Sequence, residues 1–63
     1  MAEQQIELAE TGEVLTLDSD GGLSDAQDST FEDCGGGIWL RMTGDQVQLL
    51  ALEGDSASVL ARW

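Results

Sequence analysis

Residues 38–63, IWLRMTGDQVQLLALEGDSASVLARW, decide the fold. Two Gly-Asp pairs, Gly44-Asp45 and Gly54-Asp55, interrupt an otherwise apolar run. Glycine is preferred at the first central position of type II′ hairpin turns, so the pairs predict three antiparallel strands near 38–43, 46–53 and 56–63. With those turns Leu40 faces Leu49 and Met42 faces Val47, while Trp39 faces Leu50 and Leu50 faces Val59.

Both faces of such a sheet are apolar. One carries Ile38, Leu40, Met42, Val47, Leu49, Ala51 and Leu60, and the other carries Trp39, Leu50, Leu52, Ala57, Val59, Ala61 and Trp63. An antiparallel sheet normally leaves one face to water. The second face must therefore be curled into a barrel or covered by another chain. Arg41 shares the phase of Trp39, and tryptophan and arginine are enriched at binding hot spots. Trp39, Arg41, Leu50, Val59 and Trp63 are thus the candidate interface, with core packing as the competing reading of the two tryptophans.

Upstream, QIELAETGEVLTLD (5–18) alternates apolar and polar residues around Thr11-Gly12. A two-residue turn there pairs Leu8 with Leu15 and Ile6 with Leu17, which gives a hairpin over 5–17 with four apolar side chains on one face. A helix over residues 3–10 is the competing reading. The fold class expected is all-β: a small antiparallel sheet folded into a barrel or sandwich, built from this hairpin and the C-terminal meander as one domain, 1–63.

Between the two lies DSDGGLSDAQDSTFEDCGGG (18–37), with six carboxylates, five glycines and no basic residue. Its charge predicts a long solvated loop, with Gly35–Gly37 as a hinge before the sheet. A two- or three-turn helix capped by Ser24 is the alternative. Asp18, Asp20 and Asp25 around two glycines look like a calcium loop, but Gly22 stands where an EF-hand loop wants an acid or amide and Ser29 where it wants a bidentate glutamate. No metal site is expected. The loop carboxylates Asp18, Asp20, Asp25, Asp28, Glu32 and Asp33 form the candidate acidic binding surface.

Thirteen acidic residues against Arg41 and Arg62 give a formal charge of −11, and the chain has no lysine or histidine. A globule of this length is roughly 27 Å across, and DNA of that length carries about 16 phosphates, a comparable density. Such a field repels nucleic acid and attracts basic proteins. It would also be repelled by anionic lipid. The start, MAEQQIELAE, lacks the basic and apolar regions of a signal peptide, so a cytoplasmic protein without membrane association is expected.

Catalysis would have to come from carboxylates, hydroxyls, two arginines and Cys34, with no base titrating near neutral pH. Cys34 lies beside Glu32 and Asp33, whose charge opposes thiolate formation. No catalytic residues and no cofactor are expected, and Cys34 reads as a small, partly buried side chain. Glu10-Thr11-Gly12-Glu13 resembles the hairpin-tip motif by which some proteins dock on the Kelch-domain receptor of the oxidative-stress pathway, although Leu8 and Ala9 stand where acids usually precede it.

These residues point to a non-enzymatic acidic interaction or inhibitor protein that binds a basic protein surface as a nucleic-acid mimic, of the kind phages encode. Two alternatives are a structural subunit of a homo-oligomer or larger assembly, and a halophile protein whose charge is adaptive. A 63-residue chain with one cysteine has few internal staples, which favours association.

Overall fold

The computed structural model describes residues 3–63; the first two residues of the expected domain lie outside the described residues. Seven strands follow one another: β1 (Gln4–Leu8), β2 (Val14–Leu17), β3 (Leu23–Ser24), β4 (Thr30–Gly35), β5 (Ile38–Thr43), β6 (Gln46–Glu53) and β7 (Ser56–Arg62). They form one sheet in the order β3-β2-β1-β7-β6-β5-β4, with β3 and β4 in contact but sharing no ladder. The result is a nearly closed barrel with a radius of gyration of 10.7 Å.

Each strand reverses the one before it, so odd-numbered strands all run the same way. Within the sheet the first and last strands, β1 and β7, are neighbours, and two odd-numbered neighbours must be parallel. Glu7 pairs with Ser56 and Leu8 with Ala57 in that sense. The sheet is therefore mixed, where the sequence pattern suggested purely antiparallel pairing.

The meander has the expected register. Leu40 faces Leu49, Met42 faces Val47, Trp39 faces Leu50, and Leu50 faces Val59. Both Gly-Asp pairs sit in two-residue turns, flanked by Thr43↔Gln46 and Glu53↔Ser56. The N-terminal hairpin differs: Ile6 faces Leu15 and Gln4 faces Leu17, because four residues, 9–12, lie between Leu8 and Glu13. That slip is by two residues, so the side chains keep their faces. Ile6, Leu8 and Leu15 therefore point together into the core, on the common face the alternation predicted, and residues 4–8 form a strand rather than a helix.

The segment 18–37 departs most from expectation. It is not a loop: it contains β3 and β4, and Gly36-Gly37 is the turn of a β4–β5 hairpin flanked by Gly35 and Ile38. Gly36 and Gly37 have φ of +63° and +82°, the backbone a type I′ turn needs. Asp25, rather than Ser24, organises residues 25–29, its carboxylate accepting from the Gln27 and Ser29 amides at 3.0 Å each. No helix forms there.

One bulge redirects the C-terminus. Leu50 faces Val59 but Leu49 faces Ala61, so Leu60 is an extra residue in β7. Beyond it the phase inverts. Ala61 and Trp63 therefore leave the Trp39 face, and Trp63, which donates its amide to the Val47 carbonyl at 2.8 Å, is 72% exposed.

Ile6, Leu8, Leu15, Trp39, Leu50 and Ala57 form the buried core, with Leu17, Leu23, Phe31, Leu52 and Val59 packed against it. Every strand contributes to this lining. The opposite face of β5 and β6, including Leu40, Met42, Val47 and Leu49, points outward and is only half-buried.

Candidate functional site

The barrel has two ends. One, here called the upper end, carries the 9–13 connection, the 25–29 turn, the Gly44-Asp45 turn and the C-terminus; the lower end carries the 18–22 turn and the Gly36-Gly37 and Gly54-Asp55 turns. Both arginines lie at or near the upper end, where β5 and β7 terminate.

Arg41 follows Trp39 in the inward phase of β5 and is 3% exposed. Its Nη2 meets Asp25 Oδ2 at 2.6 Å and also pairs with Glu13, while Nη1 donates to Glu13 Oε1 and Gln48 Oε1 at 3.2 Å each. Nε donates to Asp25 Oδ2 at 3.1 Å. The Phe31 ring, directly across the ladder, lies with its centroid 5.8 Å from Cζ. A guanidinium presents five N–H donors in a planar fork, and this set of oxygens uses that fork fully.

Asp25 is as completely enclosed. Its side chain has no solvent exposure, and it accepts from the Ser29 hydroxyl at 2.7 Å, which in turn contacts the Thr43 hydroxyl at 2.6 Å. Burial pushes the Asp25 carboxyl upward, but the Ser29 amide and hydroxyl and the Arg41 guanidinium outweigh it, and the group is held below the ordinary aspartate value. Burial likewise opposes the charge on Arg41; its hydrogen bonds to Glu13 and Asp25, with their charges, hold it above the ordinary arginine value. No buried side-chain polar atom among the described residues lacks a partner. The network is a polar plug that ties the 9–13 connection, the 25–29 turn, β5 and β6 together.

The sequence-predicted sites divide accordingly. Trp39 and Leu50 lie in the core, Val59 packs against it, and Arg41 is buried beside them, so these four do not present an open face. The reason is closure: the N-terminal hairpin and β4 curl over the side that carries Trp39. Trp63 is the one member of that set left exposed, and the bulge has moved it to the outside.

Of the acidic set, Asp25 is not a surface group. Asp18, Asp20, Asp28, Glu32 and Asp33 are exposed, though not as one surface. Asp18 accepts from the Asp20 and Gly22 amides at the lower end, Asp28 sits at the upper end with φ of +61°, and Glu32 and Asp33 lie on β4. Cys34 is the extra residue of a bulge between Asp33 and Gly35 and is exposed rather than partly buried. The two glutamates of the 10–13 motif are both engaged, Glu10 by Arg62 and Glu13 by Arg41. No group of metal-ligating side chains and no enclosed pocket occurs among the described residues.

Local sequence carried little warning of the plug. Glu13 and Asp25 lie 28 and 16 residues from Arg41, and only the inward phase of an arginine between Trp39 and Met42 signals that it must find carboxylates. The β4–β5 hairpin had one local cue, the Gly36-Gly37 pair, since Gly-Gly is a hairpin-turn dipeptide.

No protein-family model, no curated protein and no solved structure matches the chain.

Proposed function

We propose that this protein is an acidic binding protein that engages a basic protein surface, in the manner of an inhibitor that occupies a nucleic-acid-binding surface. The observation that carries this reading is the fate of the arginines. Arg41 is held by Glu13 and Asp25, and Arg62 by Glu10. Three of the thirteen carboxylates are thereby engaged, and ten remain with no side-chain cation in the sequence to meet them.

Those ten are spread over both ends and the sides of a body 34 Å long. Duplex DNA of that length carries about 20 phosphates, so the protein has roughly half the line charge of the polymer it would displace. That is ample for steering toward a cationic cleft, where fields of one sign raise association rates by about 10-fold or more.

The test is affinity capture from cells with the immobilised protein, eluted by salt and, in parallel, by duplex DNA. A basic partner should elute steeply between about 50 and 200 mM salt, as counterion-linked binding does, and DNA should release it. Changing Asp18, Asp20, Asp28, Glu32 and Asp33 together to amides removes half of the unpaired carboxylates and should weaken capture and flatten its salt dependence without loss of folding. Recovery of self-copies alone would overturn the reading.

A further inference from the structure

We infer that the outer face of β5–β6–β7, centred on the Leu40–Leu49 pair, is the docking surface of this protein, and that its occupant is a partner whose apolar patch is rimmed by lysine or arginine. The inference rests on the acidic-binding reading above and locates where that binding occurs.

The face is built by the register. Residues directly across a ladder share a side of the sheet, so Met42–Val47, Leu40–Leu49 and Ile38–Ala51 form three successive apolar rows. The Leu60 bulge then adds to it. By inverting the phase of β7 it places Ala61 across from Leu49 and Trp63 across from Val47, on this same side. None of these residues belongs to the core or packs against it. Leu60 and Trp63, 55% and 72% exposed, stand at the edge. A tryptophan left open beside contiguous leucine and valine side chains is the composition of an interface centre rather than of a wetted sheet.

The rim selects the occupant. Glu32 lies across from Leu40 on β4, Glu53 ends β6, and Asp45 lies in the turn that starts it. Glu7, beyond β7, faces Ser56. No cation stands among them: Arg41 is buried, and Arg62 is in the inward phase opposite Gln48 and paired with Glu10. A second copy would match apolar rows to apolar rows, yet set each carboxylate of this rim against its like and bring together two chains of −11 each. A partner with a cationic rim gains from both parts of the surface.

Two peptides of equal positive charge discriminate these terms: an amphipathic lysine–leucine helix, and the same peptide with serine for leucine. At about 150 mM salt the leucine peptide should bind at least about tenfold more tightly, and its NMR shift changes should fall on Leu40, Met42, Val47, Leu49 and Trp63. Leu49→Ser and Trp63→Ala, which lie outside the core, should remove that preference while retaining native dispersion. Equal binding of the two peptides would overturn the docking face and leave the acidic-binding reading standing. Failure of both to bind would overturn the two together, and a stable dimer of the unliganded protein in sedimentation would replace the partner by a second copy.

Discussion

Arg41 and Asp25 meet at 2.6 Å with the aspartate side chain wholly enclosed and the arginine 3% exposed. A buried ion pair contributes little beyond a well-packed apolar substitute, but removing one partner strands the other. Asp25→Asn should cost about 2–3 kcal/mol, moderated because Glu13 still faces the guanidinium. Arg41→Met leaves two carboxylates without their cation and should cost about 3–5 kcal/mol, comparable to the whole stability of roughly 3–9 kcal/mol expected at about 0.05–0.15 kcal/mol per residue. Urea denaturation of the three proteins checks the order; equal stability of Arg41→Met and wild type would contradict the role given to the plug.

The same carboxyl makes stability depend on pH. Asp25 is held below its ordinary value in the folded protein, so folding favours its ionised form. Its contribution is complete above the unfolded aspartate value, about 3.9, and is lost as pH falls through the lower folded value. The stability gap between wild type and Asp25→Asn should be constant from neutral pH to about pH 4 and shrink below it. A gap unchanged at about pH 2 would assign the effect to packing.

The two tryptophans should behave oppositely. Trp39 is 8% exposed in the core, and Trp39→Ala should cost about 3–5 kcal/mol and unfold much of the population. Trp63, 72% exposed, should tolerate alanine within about 0.5 kcal/mol. Thermal melts followed by circular dichroism separate them, and a Trp39→Ala variant as stable as wild type would be inconsistent with its place inside the barrel.

Gly37 combines a φ of +82° with a Cβ position 3.1 Å from the Leu52 carbonyl oxygen. Gly37→Ala should destabilise by about 1–2 kcal/mol through strain in a left-handed backbone and that close approach. Gly36→Asn, at φ +63° with open space around it, should cost far less, because asparagine tolerates this conformation. Matched denaturation curves that show no difference would mean the turn adopts another form.

Ten carboxylates without side-chain cations repel one another across the globule. The melting temperature should rise with salt, most of the gain coming by a few hundred millimolar, as the Debye length falls from about 10 Å at 0.1 M toward about 3 Å at 1 M. Folding that required molar salt would favour an adaptive origin of the charge.

The sequence by itself determined the strands that carry their own turn chemistry. Gly44-Asp45 and Gly54-Asp55 set the meander and its cross-strand partners, because a two-residue turn fixes register and alternation fixes the faces. It also determined that the meander is apolar on both sides. Which side would be inside was decided only in three dimensions. The hairpin 4–17 and β4 curl over the Trp39 side, and the β1–β7 pair is parallel because both strands are odd-numbered members of an alternating series. The bulge at Leu60 then carried Trp63 outward. The acidic segment 18–37 read as a loop because its charge masked alternation in β4, whose outward side bears Glu32 while Phe31 packs inward against the core. Arg41, Asp25 and Glu13 were each visible as charges, but their union depends on contacts across 16 and 28 residues that no local pattern encodes, and only the low dielectric inside the closed barrel makes that union obligatory.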